Sequence, residues 1–319
     1  MRVTVTGATG LIGPRVVASL RARGDEVTVL SRDPERARRR LSDRTRAPAS
    51  IDGRLGALQA VRWDLFSEPA PSAALAGRDA VVHLAGENVA QRWTTSAKRA
   101  IRESRVTGTR HLVRGIASLG DAERPRALVS ASAIGYYGAR DDEPIDEEAP
   151  AAADFLAQTC SAWEAEAEAA GQLGVRVVRV RTGVVLDRHG GALGKMLIPF
   201  KLGVGGPVAG GRQYISWIHT DDLVGIMLAA TCGEQWHGPV NATAPEPQRN
   251  RDFSRALGRA LHRPSLLPVP GAALRLLYGE MAEIVTTGAR VLPARALVLG
   301  YEFRYPRLDS ALRAALGAG

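Results

Sequence analysis

The sequence is poor in the residues that would mark a stapled or metal-bound protein. Only two cysteines, Cys160 and Cys232, occur in 319 residues, far apart and without metal-ligand spacing, so neither a disulfide framework nor a zinc site is expected. Six histidines (His83, His111, His189, His219, His237 and His262) form no HxxxH or similar cluster, and no metal is expected. No apolar run reaches the ~20 residues that span a bilayer. Met1 leads into the first strand without a signal-peptide pattern, and the expectation is a cytoplasmic protein with no membrane partner. Aromatic residues are also scarce, at 5%. That scarcity bears on the net charge of +9, carried almost wholly by arginine spread along the chain. Without interleaved aromatics or clustering, no nucleic-acid partner is expected, although an Arg-rich helix keeps that alternative open. A solvated basic surface that attracts a phosphorylated ligand accounts for the charge.

What is present is ample apolar content, 45%, and a strong opening motif. Val3-Thr4-Val5 reads as a strand running into Thr6-Gly7-Ala8-Thr9-Gly10-Leu11-Ile12-Gly13, followed by an amphipathic helix to about Gly24 and a second strand, Val27 to Leu30. Gly7 permits the tight turn, Gly10 lets backbone approach a pyrophosphate, and Gly13 lets the helix pack on the strand, with the helix amides supplying positive potential. A dinucleotide ligand is expected. An acidic residue at the exit of the second strand would accept from a ribose 2′-hydroxyl, but Ser31-Arg32 stand there, and a guanidinium suits a 2′-phosphate. NADP(H) is therefore expected over NAD(H), unless Arg32 only begins the arginine-rich surface helix that carries Arg36, Arg38, Arg39 and Arg40.

Further along, Asp33 to Leu58 reads as a long polar connection. Ala60 to Trp63 forms a third strand ending at Asp64, which either accepts from an adenine amine or caps a turn. Asp79 to Gly86 is a fourth strand, apolar as a strand covered on both faces should be. A helix over Ser96–Leu119, a fifth strand over Ala127–Ser130 and a sixth over Val175–Val180 complete the alternation. The acidic loop Asp141–Glu148 reads as solvated surface, Asp154 as a helix cap, and Asp221 and Asp222 as caps of the helix that follows them. The fold class expected is α/β, a Rossmann-type doubly wound parallel sheet with a smaller C-terminal substrate lobe. Residues 1–182 would form the cofactor domain, with 213–232 and part of 239–242 returning to it. Residues 183–212 and 243–319 would form the lobe, whose tail from about 268 packs as short helices.

The motifs TGATGLIG, VVHLAG, SASAIGYYG, RTGVVL and SWIHTDDL, in this order, resemble the extended short-chain dehydrogenase/reductase superfamily. GENVAQRW, SRVTGT, FLAQTCSAWEAEA and GGRQYISWIHTDDL narrow the resemblance to the NAD-dependent epimerase/dehydratase-like branch that includes the YfcH-type proteins. For the superfamily the resemblance implies an NAD(P) cofactor and a Ser, Tyr, Lys site with YxxxK on the helix after the fifth strand. There a lysine ammonium lowers the tyrosine pKa so that it moves a proton during hydride transfer. Here Leu156 stands at the tyrosine position and Cys160 at the lysine position. Candidates for the displaced chemistry are Ser132 with Tyr136 or Tyr137, and Glu87; Glu164 reads as a structural ion-pair residue and Cys160 as a small buried hydrophobe. The expected cofactor-binding set is Gly7, Thr9, Gly10, Leu11, Ile12, Gly13, Ser31, Arg32, Asp64, Leu65, Leu84, Ala85, Gly86, Arg105 and Thr182. Lys195 and Arg212, with the glycines between them, are the small-molecule substrate candidates: in sugar-nucleotide enzymes of this fold basic groups in the corresponding lobe hold a substrate diphosphate, and the alternative is a flexible surface loop with two solvated cations. Two functions follow: an oxidoreductase or nucleotide-sugar epimerase acting on a small polar substrate, or a catalytically silent NADP(H)-sensing protein. Homodimerisation through the two long helices, as in many relatives of this fold, is a further expectation.

Overall fold

Alternating apolar strands and amphipathic helices build one parallel sheet, covered on both faces. The computed structural model describes residues 1–44 and 55–317. In chain order the elements are β1 (Arg2–Thr6), α1 (Gly13–Ala22), β2 (Glu26–Ser31), α2 (Pro34–Arg44), β3 (Leu58–Arg62), β4 (Ala80–His83), α3 (Thr95–Ala117) and β5 (Ala127–Ala133). There follow β6 (Pro144–Ile145), α4 (Phe155–Glu168), β7 (Arg176–Thr182), β8 (Val184–Leu186), α5 (Gly191–Lys201), β9 (Tyr214–Ile215) and β10 (Trp217–His219). Then come α6 (Thr220–Cys232), β11 (Gly238–Ala242), β12 (Gln248–Arg249), α7 (Asn250–Leu261), α8 (Gly271–Tyr278), α9 (Glu283–Thr286), β13 (Arg290–Val291), α10 (Ala294–Val298) and α11 (Leu308–Leu316).

Seven strands form the main sheet in the order β11-β7-β5-β4-β1-β2-β3, all parallel. The order reverses between β1 and β4, and the crevice beyond the carboxyl ends of those strands is where such sheets bind ligands. Alternate residues of each strand face opposite layers. Val3, Val5, Val82 and Val129 pack under α1, α2 and α6, whereas Val81 and Leu128 pack under α3 and α4. A third apolar cluster, with Leu193, Phe200, Trp217, Phe253, Leu257 and Leu312, forms the core of the second lobe from α5, α7 and α11.

Several sequence expectations are corrected. The connection after Asp33 begins as helix α2, because Asp33 accepts from Arg36 N–H at 2.9 Å and Ala37 and Leu41, one turn apart, are fully buried. The rest of that connection, with Pro48 and Gly53, lies largely outside the described residues. The acidic segment Asp141–Glu148 is not wholly solvated. Its Ile145 joins a small cluster with Tyr137, Ala289 and Val291, and β6 pairs with β13. Glu147 is thereby buried, accepting from the N–H groups of Asn241 at 2.8 Å and Arg295 at 3.2 Å.

Neither Asp221 nor Asp222 caps α6; the side chain of His219 does, accepting from Asp221 N–H. Asp222 instead receives the backbone N–H groups of Arg304 and Tyr305 at 2.7 and 3.0 Å, anchoring the C-terminal segment on α6. In that segment α10 and α11 bury Ala296, Ala311 and Leu312, but α8 buries no residue and leaves Leu276 80% exposed. Among the described residues no helix is long and apolar enough to cross a membrane.

One buried titratable group stitches the crevice strands together. His83, at the end of β4, lies between Thr6 Oγ1 of β1, 2.7 Å from Nδ1, and Thr109 Oγ1 of α3, 3.0 Å from Nε2. Burial lowers its pKa to about 4, so between about pH 6.5 and 4 the unfolded chain binds the proton and the folded chain does not. Stability falls as pH drops through that window, by about 3 kcal/mol at most from this group. Urea denaturation at pH 7 and pH 4.5 should show His83→Gln losing less stability on acidification than the parent; an identical loss would refute the assignment.

Candidate functional site

At the carboxyl end of β1 the glycine loop divides its labour. Gly7 adopts φ +65°, and a Cβ there would lie 2.5 Å from the Leu84 carbonyl carbon. At Gly13 a Cβ would meet Ala8 Cα and Gly7 O at 2.5 Å. Both positions are therefore glycine for packing, one against β4 and one within the turn. Gly10 differs: its nearest neighbour would be Gly7 O at 3.2 Å, leaving its other side open to a cavity of about 280 Å³. Helix α1 has no acidic residue in its first turn, so its positive end is uncompensated there.

The cavity runs along the crevice. Thr9 and Gly10 line one part, Ser31 and Arg32 the exit of β2, Trp63, Leu65 and Phe66 the exit of β3, and Leu84, Ala85, Gly86 and Glu87 the exit of β4. Trp63, Phe66 and Ser104 add to the set expected from sequence; aromatic residues just past a strand carboxyl end were the available signal. Arg32 is exposed and makes no ion pair among the described residues. Gly7 lines the cavity as well, whereas Leu11, Ile12, Gly13, Asp64, Arg105 and Thr182 do not. Asp64 accepts from Phe66 N–H at 3.1 Å, a turn-capping contact. Leu11 reaches toward Gly190 and Gly191 instead, Ile12 is the N-cap of α1, and Thr182 donates to Val180 O at 3.3 Å. Arg105 stands behind Gly86, donating to Glu87 O.

Ser132 and Tyr137 belong to a different construction. Arg181 of β7 meets Glu164 of α4 in a two-pronged ion pair, Nε to Oε1 at 2.8 Å and Nη2 to Oε2 at 2.9 Å, with both side chains at most 4% exposed. Ser132 donates to Glu164 Oε1 at 2.6 Å. Tyr137 accepts from Arg181 at 2.8 Å and donates to Asn241 Oδ1 at 2.7 Å, while the ring of Tyr136 lies under the same guanidinium, 3.6 Å from its carbon. Burial outweighs the neighbouring cation and pushes the Tyr137 hydroxyl up to about 12. Tyr137 has no exposed surface. Ser132 and Tyr137 are thus corrected from candidate proton donors to members of a buried, satisfied network.

The residue pair at the expected tyrosine and lysine positions is inert. Leu156 packs on Gly135, where a Cβ would lie 3.3 Å away. Cys160 is buried, and burial together with Glu164 raises its thiol to about 12, which keeps it protonated and unreactive. Glu87 is the catalytic candidate that the cavity retains. The two substrate candidates are separated: Lys195 donates to Ala90 O beyond β4, whereas Arg212 lines a second cavity of about 710 Å³ together with Arg140, Asp142, Tyr214 and Arg249. No metal-binding group of histidine, cysteine, aspartate and glutamate occurs among the described residues.

The glycine cradle at the switch point of this sheet is accompanied by a sequence match. Residues 3–235 match the model of the NAD dependent epimerase/dehydratase family. The chain belongs to that family. Residues 269–315 match a second model, described as a domain of unknown function (DUF1731), and this span holds α8 to α11. The chain is 40% identical to the chloroplastic epimerase family protein SDR39U1 homolog of Arabidopsis thaliana, over 99% of this chain and 87% of that one. It is 34% identical to epimerase family protein YfhF of Bacillus subtilis, over 98% of this chain and 97% of that one. Its structure superposes on human epimerase family protein SDR39U1 (isoform 2), solved with NADPH, with TM-score 0.84, 34% identity and 99% coverage of both chains. Since the Arabidopsis relative is chloroplastic, family membership alone does not carry the cytoplasmic expectation.

The buried ion pair yields a direct prediction. Removing one partner of a dry, hydrogen-bonded pair leaves a charge without compensation, at a cost of roughly 3–5 kcal/mol. Glu164→Gln should therefore lower the unfolding free energy by that amount in urea titrations; a loss below about 1 kcal/mol would show the pair to be dispensable.

Proposed function

We propose that this family member binds NADP(H) in the β1–β4 crevice and works by binding it, without the tyrosine–lysine proton relay of the superfamily. One observation carries this reading. The glycine cradle is intact and Arg32 lines the cavity at the exit of β2, while the relay positions hold Leu156 and a buried, protonated Cys160. The residues fit the cofactor: Gly10 presents an open face to a pyrophosphate, Ser31 and Arg32 present donors to a 2′-phosphate, and Trp63, Leu65 and Phe66 offer an apolar wall to an adenine. The human relative that holds NADPH supports the choice of cofactor. NADP(H) over NAD(H) rests on Arg32 and on the lack of a carboxylate at the end of β2. When bound, the cofactor would supply a hydride to any acceptor placed beside it.

A second reading is favoured by Glu87, an exposed carboxylate on the same cavity. In it the chain is an NADP-dependent oxidoreductase or epimerase on a small polar substrate, with Glu87 moving the proton. Single-turnover absorbance at the NADPH band, with a panel of carbonyl compounds and sugar nucleotides, separates the two. Tight NADPH binding without oxidation is expected; oxidation abolished by Glu87→Gln would establish the enzyme instead. For cofactor choice, Arg32→Ala should weaken NADPH at least tenfold and leave NADH within about twofold, since a charge-assisted phosphate contact is worth about 1.5–3 kcal/mol. Equal weakening of both would refute the role of Arg32.

A further inference from the structure

The cavity wall at the exit of β4 has a cation behind it that no contact of the fold fully uses. Arg105, on α3, folds back under the loop after β4, and its Nη1 donates to Glu87 O at 3.0 Å and to Ile101 O at 3.1 Å. Its Nε and Nη2 have no acceptor among the described residues. Cζ and Nη2 lie 3.3 and 3.4 Å from where a Gly86 Cβ would stand, so the guanidinium packs closely against the backbone of a residue that lines the cavity. From the other side it covers the ring of Trp163, 5.2 Å from the centroid. The Trp163 indole N–H is itself buried without an acceptor among the described residues. Trp163 lies one helical turn beyond Cys160 on α4, and the charge of Arg105 acts on the Cys160 thiol. The guanidinium therefore faces α4 at Trp163, three residues beyond Cys160.

We propose that Arg105 replaces the missing lysine cation from the opposite helix, donating to the ribose hydroxyls on the nicotinamide half of NADP(H). This assignment rests on the NADP(H) reading above. The direction of the ligand decides which half is meant. Arg32 and Trp63 mark the 2′-phosphate and adenine end, and Gly10 the pyrophosphate, so what arrives at Gly86 is the second ribose. Its hydroxyl oxygens are acceptors for the unused guanidinium donors, and the orphaned indole N–H lies in the same corner. Arg105 is a cofactor-positioning residue here, holding the nicotinamide ring against the β4 exit without moving a proton. Burial lowers its pKa, yet a guanidinium remains charged throughout the physiological range.

The test compares two probes that share the adenosine 2′-phosphate end: NADPH, and adenosine 2′,5′-bisphosphate, which lacks the second ribose. With full-length protein, calorimetric or fluorescence titration of Arg105→Gln should show NADPH weakened roughly tenfold to hundredfold, with the bisphosphate unchanged within about twofold. Arg105→Lys keeps the charge and the stem, and should lose less, again only toward NADPH. If Arg105→Gln does not fold, Arg105→Lys decides by the same comparison, a loss of at least threefold confined to NADPH being expected. Equal weakening of both probes, or of neither, would overturn the assignment and leave Arg105 a packing residue. If the parent protein bound the bisphosphate but not NADPH, the inference would fail alone. If it bound neither, the NADP(H) reading would fail and take the inference with it.

Discussion

The buried ion pair of Glu164 and Arg181 is the constraint to which the middle of this molecule conforms. Two charges removed from water cost several kcal/mol each unless the geometry and the remaining hydrogen bonds repay it. The fold supplies those bonds from every side. The forked contact uses both carboxylate oxygens, Ser132 on β5 gives one more donor, and Tyr137 links the guanidinium to Asn241 on β11. Arg181 also donates to Glu147 O, while the Glu147 carboxylate secures Asn241 N–H and Arg295 N–H. One strand pairing, one helix and the tail leading to α10 are thereby fixed by a single electrostatic requirement.

That requirement engages two residues of a type suited to proton transfer, Ser132 and Tyr137, in structural contacts. A serine and a tyrosine close to a nicotinamide could act as acid and base only if their protons were free to move at working pH. Ser132 is committed to Glu164, and Tyr137, sealed between Arg181 and Asn241, is pushed to about 12. The cation that elsewhere lowers a tyrosine pKa is present, but burial exceeds its effect. Both side chains are of a catalytic type, but their surroundings are dry: Tyr137 is fully buried and Ser132 nearly so.

How far the sequence discloses this depends on the range of each interaction. The alternation of strand and helix and the glycine loop are local patterns, and the sheet that they imply is the one found. Strand β5 extends through Ser132 and Ala133 because it pairs with β7 as far as Thr182, which no local pattern shows. Glu147 reads as a solvated acid and Asp222 as a helix cap, since the partners that bury them lie tens of residues away, whereas Glu164 is read as an ion-pair residue and is one, with Arg181. One warning was legible: Arg179 and Arg181 interrupt a central strand that should be apolar on both faces. Lys195 and Arg212, close in sequence, are turned to different surfaces by α5 and the glycine-rich stretch after it.

Binding and chemistry are thus written into different parts of this chain. The cradle is made of backbone and of spaces that only glycine leaves, so it survives changes in almost every neighbouring side chain. The tyrosine and lysine that the superfamily resemblance implies on α4 are Leu156 and Cys160 in this chain. The two meet at the loop after β4, where Leu84 sets the limit on a side chain at position 7 and Glu87 lines the cavity. A Cβ at position 7 would lie 2.5 Å from the Leu84 carbonyl carbon, so that loop and the glycine turn are in close backbone contact. Glu87, carried on the same loop, is anchored beside that turn through its backbone, its N–H donating to Ser104 Oγ at 2.9 Å, and it is the second reading of the function that gives its carboxylate a role.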